Sequence, residues 1–258
     1  MRKCIFCGAR ANSVEHFWPV WALERLPRER LKGFIGTHEI DFSGDYTIGC
    51  VCASCNGGWM SAIETANMPL LGAMMTDKSM RLTPLQQEAV AKWAVLKSMV
   101  LDFSAVSKQG HLFYTQEEHD NFRTSEVLPP KTDVWLGRYL GMGREAHATG
   151  VKGRLGVASR SGLSVQVSPA HFQDLYQGHV TTILMGAVCI QVLTIHTPEK
   201  YRYGAVDVQS KPGLWDLLLL TCWPTQGYLY WPPILAFDGP ALPSIRTLHE
   251  RWQQGVEL

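Results

Sequence analysis

A chain of 258 residues, 46% hydrophobic and 18% charged, has the make-up of a globular protein of one or two domains. The net charge of +1 excludes a generally basic surface, so any nucleic-acid contact has to come from a local patch. The longest apolar run, residues 180–195, is interrupted by Thr181, Thr182 and Gln191 and is too short for a membrane span; with no apolar signal core after Met1, the expectation is a cytoplasmic protein without a membrane partner.

Five of the seven cysteines fall before residue 56. Cys4-Ile5-Phe6-Cys7-Gly8 and Cys52-Ala53-Ser54-Cys55 are two CxxC pairs, and a four-thiolate set of that spacing suits a tetrahedral structural zinc with no open position. Cys50 offers a third sulfur beside the second pair. The two-residue spacer selects Cys52 with Cys55, which leaves Cys50, on a strand, pointing into the local core. The expected zinc ligands are therefore Cys4, Cys7, Cys52 and Cys55.

In chain order, residues 12–17 read as a short strand ended by Pro19, and residues 20–31 as partly helical up to Pro27. Residues 33–45 read as a loop insertion and 46–51 as a second strand. Asn56 suits the N-cap of a helix carrying Trp59, Ile63 and Ala66. Residues 68–80, with Pro69 and Gly72, read as a connector. Thr83-Pro84-Leu85-Gln86 is a capping box that opens an amphipathic helix with a stripe of Leu85, Ala89, Trp93, Leu96, Val100 and Phe103. Thr115 and Glu118 open a shorter helix, ended by Pro129-Pro130. Strands are then expected over 134–140, in a hairpin over 155–167, over 180–195 as one bent or two buried strands broken at Gly186, and over 228–231. The run 214–223 is ambiguous between strand and helix, and Ser244 caps a last helix. The fold class that follows is α+β, divided into residues 1–67 and a larger mixed α+β domain over 81–258.

Between the two CxxC pairs stands Glu15-His16-Phe17-Trp18-Pro19, and Asn56 directly follows Cys55. The set resembles the HNH endonucleases, whose ββα-metal fold carries an acid-His-x-x-Pro signature on a strand and an Asn on the following helix. The resemblance covers about the first quarter of the chain and implies that residues 1–67 form a zinc-stapled ββα-metal unit. It implies His16 as general base for an attacking water, a role that suits an imidazole with an ordinary pKa of about 6.5. Glu15 and Asn56 would supply oxygens to a catalytic Mg2+ or Mn2+, and DNA would be the substrate.

Two positions depart from the family pattern: Thr47 stands where a middle Asn is usual, and Met60 where some members carry a His. Glu64 lies about 12 Å along the helix from Asn56, too far to share one ion easily, so it is expected to pair with an arginine or cap a loop. Arg25, Arg28, Arg30 and Lys32 form a local basic cluster, by default a solvated helix face. Trp18 and Trp21 are read as core residues. The rival reading is a zinc module without catalysis that binds nucleic acid or a protein partner. Oligomeric state has no sequence signal here.

Overall fold

The computed structural model describes residues 2–26, 32–35, 38–41, 46–109, 112–140, 146–154, 177–196 and 218–237, and the backbone alone over 32–35, 38–41, 105–109, 146–154 and at 177. Alternation of buried and exposed positions makes Ser13–His16 (β1) a strand. It pairs antiparallel with Thr47–Val51 (β4), setting Glu15 across from Ile48 and His16 across from Thr47. Between them lie a single helical turn, Val20–Leu23 (α1), and the antiparallel strands Lys32–Ile35 (β2) and His38–Asp41 (β3). The expected loop insertion thus holds a strand pair, for which Phe34, Ile35 and Ile40 favour extended backbone.

After β4 the chain turns through Ala53–Cys55 (α2), a wide turn at Asn56–Met60 in which Gly58 leaves helical geometry, and Ser61–Met75 (α3). Cys52, not Asn56, is the N-cap; its sulfur accepts from the Cys55 backbone N–H at 3.4 Å. The helix also runs through the region expected to be a connector, with Pro69 inside it. Asn67 helps to hold it: its amide donates to the Ile63 carbonyl and, across to the next helix, to the Ala89 carbonyl. The short strand Met80–Leu82 (β5) follows.

Pro84–Gln109 (α4) opens with the capping box read from Thr83 and Gln86, at 2.9 and 3.3 Å. Its one-sided stripe does not hold. Residues 93–102 are buried all round, with Lys97, Ser98 and Asp102 among them, whereas Leu85 is largely exposed. A helix buried on every face has to satisfy its polar groups internally. Asp102 accepts from the backbone N–H groups of Phe113 and Tyr114, and Ser98 bonds with Tyr114, His179 and Thr181. Gln116–Ser125 (α5) begins with a complete Thr115/Glu118 capping box and stops at Glu126 in the left-handed conformation, before the two prolines.

The main sheet is built from Thr132–Tyr139 (β6), Ala146–Arg154 (β7), Gln177–Met185 (β8), Val188–His196 (β9) and Leu219–Trp223 (β10), in the order β10-β6-β9-β8-β7, all antiparallel. Leu229–Trp231 (β11) pairs with β5, and Ala236–Phe237 (β12) runs parallel to β6. The fold is thus α+β with antiparallel sheets. The run 180–195 is two buried strands turned at Gly186, and 214–223 resolves as a strand at its end. The strand β7 had no sequence expectation, since Ala146-His147-Ala148-Thr149-Gly150 carries no strong alternation. The expected hairpin over 155–167 and the last helix after Ser244 lie outside the described residues.

One cluster of buried side chains runs from Cys4 and Phe6 through Trp18, Met74 and Trp93 to Ile190 and Trp231. Trp18 is core as expected, and Trp21 packs partly buried against the cluster. Gly186 closes the β8–β9 turn at φ +57, and a Cβ there would sit 2.5 Å from the Met75 carbonyl oxygen. Gly186→Ala is therefore expected to destabilise the protein by roughly 1–3 kcal/mol in urea unfolding, because both the backbone conformation and the contact penalise a methyl group.

Candidate metal centre and its surroundings

Gly8, at φ +71, lets the first knuckle turn tightly, and its N–H donates to the Cys4 carbonyl at 2.9 Å. The second knuckle is fixed by its Cys52 cap and by Asn12, whose side-chain oxygen accepts from the Ala53 N–H at 2.9 Å. The knuckles are joined by the Ile5 N–H donating to the Cys50 carbonyl at 3.0 Å. These bonds bring Cys4, Cys7, Cys52 and Cys55 together with all four sulfurs within 4.8 Å of one another, the Cys7–Cys52 pair at 3.5 Å. A zinc ion with Zn–S bonds of about 2.3 Å needs sulfurs about 3.8 Å apart. The four cysteines therefore fit a metal ion such as zinc, with the ligand set read from the spacing.

All seven cysteines are free, and within the cluster Cys52 differs from Cys7 and Cys55 in its electrostatics. Burial works against the Cys52 thiolate, but the Cys55 N–H and the neighbouring thiols of Cys7, Cys55 and Cys4 outweigh it and bring that group to about 7. Burial pushes Cys7 and Cys55 upward. Cys50 lies outside the cluster, fully buried, and burial with the nearby Glu15 and Cys4 pushes it up to about 12. It is an inert core thiol.

The short helix α5 docks on the first knuckle. Gln116 and Arg123 donate to the carbonyls of Ile5 and Phe6, and the Phe6 ring packs edge-on against Trp59 and His119. Sequence reasoning missed this contact because α5 lies more than 100 residues from the knuckle and nothing local marks it.

The strand β1 divides Glu15 from His16. The Glu15 side chain faces inward, and its carboxylate accepts from the Lys97 ammonium at 2.6 Å. The same fully buried ammonium also donates to Glu64 and to the His16 carbonyl, at 2.5 and 3.1 Å. Burial disfavours the charged lysine, but the two carboxylates outweigh it and hold Lys97 above the ordinary lysine range. Burial raises Glu15, and the shared ammonium offsets this only in part. Glu64 thus pairs with a base as expected, a lysine in place of an arginine.

His16, on the opposite side of β1, is half-buried, and its ring has no hydrogen-bond partner among the described residues. Asn56 is tied to the same strand. Its side-chain NH2 donates to Ser13 Oγ at 3.0 Å and to the Val14 carbonyl at 2.8 Å. A carbonyl can only accept, so this contact fixes the orientation of the amide and leaves Asn56 Oδ1 without a partner among the described residues. Thr47 stands across the ladder from His16, and Met60 is a core residue, which accounts for a methionine there. Of the basic cluster only Arg25 has a described side chain. It folds back over the Trp21 ring and donates to the Trp21 carbonyl. Comparison with family models, with curated proteins and with solved structures gives no match.

Two outcomes follow. Cys52→Ser is expected to lose bound zinc and Cys50→Ser to retain it, read by elemental analysis of the purified proteins. Lys97→Met is expected to cost about 3–5 kcal/mol in urea unfolding, because it leaves two facing carboxylates without their cation; Glu15→Gln added to it should recover part of the loss.

Proposed function

We propose that residues 1–67 form a ββα-metal unit of HNH type and that the chain is an endonuclease hydrolysing DNA phosphodiester bonds. The observation that carries this reading is the attachment of Asn56 to β1: the antiparallel pair β1–β4 and the helical segment after it hold an Asn with an unspent oxygen and a His with an unspent ring on one cysteine-clustered hairpin. His16, with its ring clear of hydrogen bonds among the described residues, suits the base that takes a proton from water as the water oxygen bonds to phosphorus and the bond to the leaving sugar oxygen breaks. The leaving oxygen takes its proton from solvent.

A catalytic divalent cation fits the residues only in part. Glu15 is committed to Lys97, so no cation role is assigned to it; the shared Lys97 ammonium, which also donates to the His16 carbonyl, positions the end of β1. Asn56 Oδ1 would be the protein oxygen for Mg2+ or Mn2+, which accepts few protein ligands and fills its shell with water and phosphate oxygens. Such an ion would supply charge neutralisation at the phosphate. The zinc held by the cysteines is a staple, with no open position for substrate.

The Glu15–Lys97 pair specifically favours the second reading, a zinc module that binds nucleic acid or a protein partner without cutting, because it removes one of the two expected cation oxygens. A plasmid-nicking assay with Mg2+ or Mn2+ decides between them. The nuclease reading expects wild-type cleavage that falls by at least about a hundredfold in His16→Ala, with zinc content and thermal unfolding unchanged. Absence of cleavage by the wild type, or equal cleavage by the variant, leaves the module.

A further inference from the structure

The strands β5 and β11 form a small antiparallel sheet of their own, with Leu82, Leu229 and Trp231 turned into the core. Alternation then forces the residues between them outward. Tyr230 stands directly across from Arg81, and Tyr228 lies two residues earlier, just before the strand begins. Tyr228 and Tyr230 are 57% and 66% exposed, far more than the bulk of the aromatic residues described, which are core. The Arg81 guanidinium lies over the Tyr228 ring at 4.4 Å and has no carboxylate partner among the described residues. Lys78 and Ser79, exposed, lead into the strand, and Leu85, Ile234 and Leu235 are exposed beyond it.

An exposed arginine over one solvent-facing ring and across the ladder from a second suits an anionic ligand with flat faces. Residues two apart on a strand are about 6.5–7 Å apart, which suits successive unstacked bases. Duplex bases have their faces covered by their neighbours. Single-stranded bases do not, and they stack on exposed strand aromatics while arginine takes the phosphate. We infer that the Tyr228–Tyr230–Arg81 face of the β5–β11 sheet binds single-stranded nucleic acid, stacking bases on the two tyrosines and pairing a phosphate with Arg81.

The choice of nucleic acid as partner rests on the functional reading above. The test uses binding alone, so that loss of cleavage and loss of this surface are distinguishable. Fluorescence anisotropy of a labelled fifteen-residue oligothymidylate, with EDTA present to stop cleavage but with zinc retention checked, measures the affinity of the full chain. Tyr228→Ala/Tyr230→Ala is expected to weaken binding by about tenfold or more, and Tyr228→Phe/Tyr230→Phe to restore it, since stacking needs the ring and not the hydroxyl. Arg81→Gln should weaken binding and lower the slope of log affinity against log salt by about 0.7, the value for one phosphate on a single strand. Because all three side chains are exposed, thermal unfolding of the variants should match the wild type. The inference is overturned if the wild type does not bind the oligonucleotide, if it binds the matching duplex as tightly, or if the alanine pair binds unchanged.

Discussion

The four sulfurs drawn from residues 4–7 and 52–55 could hold one metal ion, and that ion would be the constraint on which the first quarter of the molecule rests. They close a segment that contains β1, the β2–β3 pair and β4, and the knuckle backbone carries α5 through Gln116 and Arg123. Structural zinc binding is worth ~10–16 kcal/mol, as large as the entire stability of an ordinary domain. With that ion bound, the small hairpin needs little core of its own. It still shares one: Cys4, Phe6, Phe17 and Trp18 belong to the same buried cluster as α4 and the main sheet.

The Lys97 ammonium is the second fixed point, and it works by geometry more than by net energy. Desolvating one cation and two carboxylates costs about what their attraction returns, so such a group contributes chiefly by allowing only one arrangement. Here it ties α4 to β1 and α3 at once, binding the His16 carbonyl as well as the Glu15 and Glu64 carboxylates. The consequence for chemistry is direct. Glu15 is spent on structure, whereas the His16 ring and Asn56 Oδ1 keep polar atoms without a partner among the described residues.

Features set by local rules were legible in the chain. The CxxC spacing named the right four cysteines and put Cys50 in the core, the two Thr-led capping boxes marked the starts of α4 and α5, and Gly186 marked the break between β8 and β9. What failed was set by distant partners. Lys97 reads as a helix residue with no special standing because its partners Glu15 and Glu64 lie 82 and 33 positions away, and those carboxylates make its burial tolerable. Pro69 reads as a helix breaker, yet α3 continues through it, held by Asn67 to α4. Asn56 reads as an N-cap, but the Cys52 sulfur takes that role and frees the amide for β1. At the site the residue types were readable, while their division between structure and chemistry was not, because it depends on which face of β1 meets α4.

The central claim is that the four cysteines bind one zinc as a closed set, and zinc K-edge X-ray absorption on the purified full chain tests it most directly. The account predicts a single shell of four sulfurs at about 2.3 Å, with no nitrogen or oxygen neighbour. A shell of three or fewer sulfurs with a light-atom ligand would contradict it, since that would open the zinc to solvent and make it a candidate for chemistry instead of a staple.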